Sequence, residues 1–311
     1  MDIRKTYTAL SPVDFISIVF LMFLLILNAV FYERIAYYAA MIVVNLVIIA
    51  AVAVLAFQAD KKKTVFLSAL HRWYCYPFIF FIFKEIYFMV HPIHPEDYDR
   101  LLSAADHWIF GVYPTQWMAQ FANPILTEIF QISYFSYYIL FVILGVGLYR
   151  EHSAEEFDRG AFLIVYGFYL SYLGYFLLPA VGPRFTLHNF YALNQELPGL
   201  LCTPWMRAVI NAGESISSTT PNVLASVQRD VFPSGHTEMT LIVIYLSHCY
   251  KIRLRWLVTG LGILLIISTI YLRYHYVVDL LAGAIFFLFA VWSGNLIQRW
   301  VFQDRVRRRQ L

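Results

Sequence analysis

The amino-acid sequence predicts an all-α protein, a polytopic membrane helix bundle of about eight spans with both termini cytoplasmic and interfacial helices at the outer face. Three observations carry this expectation. Only 14% of the 311 residues are charged while 60% are hydrophobic, against about a quarter charged in soluble domains. Apolar runs of about 18 residues or more recur along the chain, each long enough to cross a hydrocarbon layer of ~30 Å. Backbone polar groups in that layer must pair internally, which leaves helices or a closed barrel, and the runs are continuous rather than alternating.

Taken in order, spans are expected at residues 12–31, 36–57, 65–90, 124–148, 160–179, 234–250, 256–273 and 276–298. Arg4 and Lys5 before the first run resemble the start of a signal peptide. The run is long and lacks a small-x-small cleavage site, so it reads as a retained span. Lys61, Lys62 and Lys63 follow the second span. The third carries Lys84 and Glu85 near its far end. Two connections are long, from His91 to about Asn123 and from Ala180 to Phe232; the others are short. In the first, Leu101, Ala105, Trp108 and Ile109 recur at helical spacing, and Trp117 and Phe121 follow Pro114. That pattern suits a short helix at the headgroup level with aromatic anchors, or a packed loop.

Lys and Arg set the orientation. With the N-terminus inside, sixteen of the 23 basic residues fall on the cytoplasmic side, including Arg305, Arg307, Arg308 and Arg309, which are expected against anionic lipid. Six fall outside: Arg34, Arg100, Arg184, Arg207, Arg229 and Arg273. Lys84 stays within or near its span. Both long loops then face outward. The basic residues form short clusters between apolar runs rather than a stripe, which argues against a nucleic-acid partner. Cys75, Cys202 and Cys249 are far apart and make no disulfide framework.

Three segments bear candidate chemistry, and the span assignment brings all three to the outer helix ends. The first is Val181-Gly182-Pro183-Arg184. Arg184 follows a Gly-Pro turn and reads either as a bidentate phosphate ligand or as a headgroup anchor. The second is Phe232-Pro233-Ser234-Gly235-His236-Thr237. Pro233 suits a first helical turn, while Ser234 and Gly235 leave backbone N–H groups where the helix dipole favours an anion. His236 would face the same anion and could protonate a leaving oxygen; the bland reading is an ordinary helix start. The third runs from Ser268 to Asp279. His275 and Asp279, four apart, would share a helix face, so the carboxylate could orient the imidazole and leave its other nitrogen nucleophilic. A structural His–Asp tie between helices is the alternative.

Together these segments resemble the type-2 phosphatidic acid phosphatase superfamily, also called the lipid phosphate phosphatase and haloperoxidase superfamily. Pro233 to His236 match its second motif, and Ser268, His275 and Asp279 match its third at the right spacing. The family's Arg in the third motif falls at Thr269, with Arg273 four residues on. Its leading Lys falls at Leu177, and Arg184 has Pro before it rather than after. These departures, the run from Tyr271 to Gly283 and the segment Phe110 to Pro114 resemble the branch containing inositol phosphorylceramide synthases. The resemblance covers about residues 160–290.

The resemblance implies a lipid phosphatase or phosphotransferase at the outer membrane face. His275 would attack phosphorus and form a phosphohistidine, Asp279 would orient it, and His236 would protonate the leaving alcohol. Arg184, Arg273, Ser234 and Gly235 would hold phosphoryl oxygens, with Lys84 a further source of charge and Asp230 a cap for span six or a helper of His236. No cofactor or metal is implied. Residues 1–123 are expected to form N-terminal spans and an interfacial loop, and residues 124–311 the catalytic membrane core. The implied partners are a phospholipid or a polyprenyl or sphingolipid phosphate and the bilayer; a homo-oligomer is compatible. The expected location is a bacterial inner membrane with the site facing the periplasm, or a lumenal face in a eukaryote.

Other features read more plainly. His91, His94, Glu96 and Asp97 fit no familiar metal spacing. Lys84 and Glu85 read as a functional or a helix-tying intramembrane pair. Tyr134, Tyr137, Tyr138, Tyr166, Tyr169 and Tyr172 read as packing. Glu196, Asn211, Glu214, Asn222 and Arg229 in the second long loop offer hydrogen bonds for a polyol headgroup, which favours transfer of an inositol phosphate or similar headgroup to a lipid alcohol. An intramembrane serine protease using Ser234 would need a Gly-x-Ser-Gly-type turn that is absent. A non-enzymatic lipid transporter would have no use for the histidines.

Overall fold

The computed structural model describes residues 9–217 and 219–309, with side chains up to Arg299. Among them the regular structure is helical: α1 Pro12–Val30, α2 Tyr38–Lys62, α3 Val65–Trp73, α4 Cys75–Tyr87, α5 Val90–Ile93, α6 Asp99–Phe110, α7 Pro114–Met118, α8 Pro124–Phe135, α9 Tyr137–Glu151, α10 Ala154–Leu177, α11 Pro183–Thr186, α12 Leu193–Glu196, α13 Thr203–Gly213, α14 Val223–Ser226, α15 Gly235–Cys249, α16 Arg255–Tyr271 and α17 Val277–Arg309. The all-α expectation holds for the described residues. Arg4, Lys5 and the side chains of Arg305, Arg307, Arg308 and Arg309 lie outside the description.

Among the described residues, five stretches are long and apolar enough to cross a membrane: Pro12–Val30, Tyr38–Lys62, Val65–Ile93, Ala154–Leu177 and Val277–Arg299. The pair α8 and α9, bent by 44°, passes the same test only when taken together, as a broken span or a re-entrant loop. The expected count of eight also includes α15 and α16, which have 15 and 17 residues. At 1.5 Å per residue they reach about 22 and 26 Å, short of a ~30 Å layer.

Local chemistry explains where the helices depart from the expected spans. The third span is interrupted at Tyr74, because Pro77 in the first turn of α4 has no N–H to return to Trp73. The bend between α8 and α9 sits at Ser136. Ser133 Oγ donates to the Ile129 carbonyl and Ser136 Oγ to the Ser133 carbonyl, so both hydroxyls compete with the helical ladder. α10 begins six residues before the expected start, since Ser153 and Glu156 exchange reciprocal backbone bonds in a capping box.

The chain divides into two compact units, Met1–Pro95 with His152–Leu170 and Leu288–Leu311, and Glu96–Glu151 with Ser171–Phe287. In the first, α1 starts with a capping box between Ser11 and Asp14. Asp14 is fully buried and also accepts bonds from Tyr74 Oη at 2.7 Å and the His71 ring at 2.8 Å. Buried Glu85 accepts from Asn28 at 3.2 Å and Asn45 at 2.7 Å, tying α1, α2 and α4 with polar contacts. Phe20 stacks on Tyr169 at 4.3 Å, and Tyr169 Oη donates to Ser17.

The second unit holds α6 to α9, the latter part of α10, α11 to α16 and the start of α17. One apolar cluster packs Phe130 and Tyr134 against Leu193, Leu197, Tyr271, Leu272 and Tyr274. Smaller clusters centre on Val181, Phe190 and Val223, and on Leu102, Ala180, Val231 and Tyr276. Leu101, Trp108 and Ile109 on α6, Trp117 on α7 and Phe121 in the 3-10 turn that follows it are all exposed.

Candidate active site

The segment after α16 turns on Arg273, whose φ of 69° is uncommon for a residue with a Cβ. The Thr269 carbonyl closes the turn, accepting from the N–H groups of Tyr274 at 2.8 Å and His275 at 3.2 Å. His275 therefore precedes α17 instead of lying on it, which corrects the expectation that it shares a helix face with Asp279. The pair still meets: Asp279 stands in the first turn of α17, and its Oδ2 lies 3.5 Å from His275 Nδ1. The same oxygen accepts the Tyr276 N–H at 2.8 Å. Both side chains are buried.

Ser234 caps α15, its Oγ accepting from the Thr237 N–H at 3.2 Å. Asp230, expected as a cap, does not fill that position; the hydroxyl three residues before Thr237 reaches the free N–H first. The Ser234 N–H donates to the Asp279 carbonyl at 3.0 Å, which fixes the two helix starts together. Gly283 allows this: a Cβ there would lie 2.6 Å from the Ser234 carbonyl oxygen. His236 follows in the first turn of α15, with Nδ1 3.3 Å from His275 Nε2.

Arg184 is the second residue of α11, just after the turn at Gly182. Gly182 has φ 99°, and a Cβ on it would meet the Tyr274 carbonyl oxygen at 2.8 Å, so glycine is required. The Arg184 N–H donates to the Arg273 carbonyl at 2.9 Å. The Arg184 guanidinium is buried between Phe185 and Tyr274, 4.5 and 4.6 Å from their ring centres. It donates to Asn211 and is ion-paired with Glu214; Arg273 is ion-paired with Glu196.

Burial holds the His275 imidazole well below its ordinary 6.5, with His236 and Arg184 adding to the effect and a backbone bond at Val231 opposing it. A neutral imidazole with one nitrogen facing a carboxylate and the other facing a second imidazole is suited to nucleophilic attack. The described residues contain no group of three or more His, Cys, Asp or Glu side chains placed to hold a metal.

The structure thus brings His236, His275, Asp279, Arg184, Arg273, Ser234 and Gly235 into one region of the second unit. Lys84 belongs to the first unit, where its ammonium lies over the Tyr87 ring at 5.8 Å. Asp230 contributes negative potential at Arg184. Among the tyrosines taken as packing, Tyr134 and Tyr137 have another place: both rings lie on His236, at 4.7 and 4.6 Å. Two further carboxylates escaped notice in the sequence. Asp99 accepts from the N–H groups of Val181 and Gly182 and from Tyr276 Oη. Asp106 accepts the N–H groups of Val277 and Val278 at 2.9 Å each, so α6 caps α17. Their seven-residue spacing places them on one helix face, which is the only sequence signal they gave.

Fold and site together describe a helical bundle with apolar helices long enough to cross a membrane and a largely buried cluster of two histidines, a carboxylate and two arginines. Comparison with known proteins agrees. Residues 100–293 match the model of the PAP2 superfamily, and the chain belongs to that superfamily. A PA-phosphatase related-family protein of Dictyostelium discoideum is 28% identical over 194 residues, covering 56% of this chain and 33% of the relative. The chain therefore spans about a third of that relative's length. No solved structure matches.

Proposed function

We propose that this protein is a membrane-embedded lipid phosphatase or phosphotransferase that works through a phosphohistidine on His275. The observation that carries the reading is the 3.3 Å approach of His236 to the His275 nitrogen remote from Asp279. His275 Nε2 attacks phosphorus, the bond from phosphorus to the leaving oxygen breaks, and His236 gives that oxygen its proton. His236 then takes a proton from the incoming hydroxyl, which attacks phosphorus and releases His275. Asp279 stabilises the charge that develops on the imidazole. Arg184, Arg273 and the N–H groups at the start of α15 hold the phosphoryl oxygens.

Water as the incoming hydroxyl makes the protein a phosphatase, and a lipid alcohol makes it a transferase. Transfer of an inositol phosphate or similar headgroup is supported by the carboxylates that the second long loop brings to both arginines. The eight-span topology with both termini inside, and a site at the outer face open sideways to lipid, belong to the same proposal. The Lys and Arg asymmetry supports it.

The test is to incubate the purified protein with a lipid panel, with and without myo-inositol or ceramide, and to analyse products by mass spectrometry. Free phosphate means hydrolysis; a new phosphodiester means transfer. Full turnover by His275→Ala would sink the phosphohistidine reading and favour a non-enzymatic lipid carrier.

A further inference from the structure

The first unit holds a polar cavity of its own. It is lined by the start of α1, the end of α2, the helix α3 and the start of α10. Its volume is about 200 Å³, against ~10–15 Å³ for a space that admits one water. Buried Ala56 and Ala59 place small side chains where larger ones would fill it. Every lining residue belongs to the first unit, whereas His236, His275 and both site arginines belong to the second.

Local bonds fix the wall. Ser11 shares a capping box with Asp14 at the start of α1, and His71 ties α3 to the same carboxylate at 2.8 Å. Thr64 caps α3, its Oγ1 accepting from the Leu67 N–H at 3.3 Å. Lys63 ends α2 in the left-handed region, with φ 50° and its N–H donating to the Ala59 carbonyl at 3.1 Å. That conformation is unfavourable for a residue with a Cβ, and it brings a lysine to the cavity wall.

Asp60, Lys63, Arg72 and Asp158 bring two positive and two negative charges to this wall. Asp60 and Lys63 stand three residues apart in sequence, yet among the described residues neither side chain has an ion pair or a hydrogen bond. Arg72 approaches Asp158 through Nε alone, at 3.8 Å, which is too long for a hydrogen bond. Its two Nη groups keep their donors. A simple anion drawn to Lys63 and Arg72 would be repelled by the carboxylates beside them. A zwitterion satisfies both signs. The guanidinium fork and the lysine ammonium donate to phosphoryl oxygens, and the carboxylates accept the three N–H groups of a primary ammonium.

We propose that this cavity is a second ligand site, for a zwitterion that joins a phosphate ester to a primary ammonium group. Lys63 and Arg72 hold its phosphoryl oxygens; Asp60 and Asp158 hold its ammonium. The site is independent of the phosphoryl-transfer reading and involves no reaction. In the topology proposed above it faces the cytoplasm. A soluble aminoalkyl phosphate and the ethanolamine headgroup of an inner-leaflet lipid share the chemistry it recognises.

The test titrates the full-length protein in detergent micelles with O-phosphoethanolamine, O-phosphocholine and inorganic phosphate by calorimetry. A His275→Ala background keeps the probes from turnover. O-Phosphoethanolamine is expected to bind saturably and about tenfold or more tighter than the other two, because a quaternary ammonium donates no N–H and phosphate has no ammonium. Lys63→Gln and Asp60→Asn change exposed side chains that have no partner to lose, so the fold survives both. Each is expected to weaken O-phosphoethanolamine binding by about tenfold. Repeating the titration in phosphatidylglycerol nanodiscs with and without phosphatidylethanolamine identifies the source. Competition by the ethanolamine lipid marks a headgroup site, and undiminished binding marks a soluble ligand; either supports the proposal. No saturable binding, equal affinity for inorganic phosphate, or an affinity unchanged in both variants overturns it.

Discussion

At the scale of single residues, the site is a matter of which nitrogen faces which neighbour. His275 presents Nδ1 to Asp279 and Nε2 to His236. Replacing His275 by Asn should lower phosphoester turnover by at least about 10³-fold, because no nucleophile remains. His236→Gln should cost about 10²–10⁴-fold, the usual range for a lost general acid–base. Burial lowers the His275 pKa, so the neutral form persists as pH falls through 6.5. The acid limb of kcat/KM assigned to this group should accordingly lie well below pH 6.5, and a limb near 6.5 that vanishes in His275→Asn would contradict the assignment. Tyr134 and Tyr137 show how far residue type alone misleads. An aromatic stripe in a span reads as packing, yet two of its rings enclose a histidine.

At the scale of elements, the turn before α17 is held from α6 rather than by its own side chains alone. Asp106 takes two of the orphan N–H groups of α17. Asp106→Ala should therefore cost on the order of 1–2 kcal/mol, measured as a lower thermal midpoint in detergent. Gly182→Ala should cost about 1 kcal/mol or more and also reduce turnover, since Arg184 stands two residues after that glycine, at the start of the helix it caps. An unchanged midpoint in Gly182→Ala would mean the turn tolerates a Cβ. The motif from Ser268 to Asp279 was readable as a spacing, but its shape was not. Spacing of four suggested a shared helix face, whereas the Thr269 carbonyl closes a turn that puts His275 ahead of the helix.

At the scale of the whole molecule, the topology can be checked with the protein's own thiols. Cys202 lies before α13 in the second long loop and Cys249 at the far end of α15, and both are exposed. With the site at the outer face, a membrane-impermeant thiol reagent should label Cys202 in intact cells and Cys249 only after lysis. The reverse pattern would invert the orientation, and labelling of both in intact cells would break the eight-span scheme.

Composition and the continuous apolar runs determined a helical chain compatible with a membrane, because too few charged residues exist to cover a water-facing surface. The short motifs marked His236, His275 and Asp279, since spacing along one chain survives in any fold that keeps the turns. Tertiary structure decided the rest. The carboxylates on Arg184 and Arg273 come from a loop whose helices are too short to announce themselves, and Asp99 and Asp106 act on backbone N–H groups about 80 and 170 residues away in sequence. Contacts of that kind depend on where a helix end is left unsatisfied, and no pattern of residue types records where a distant segment will pass.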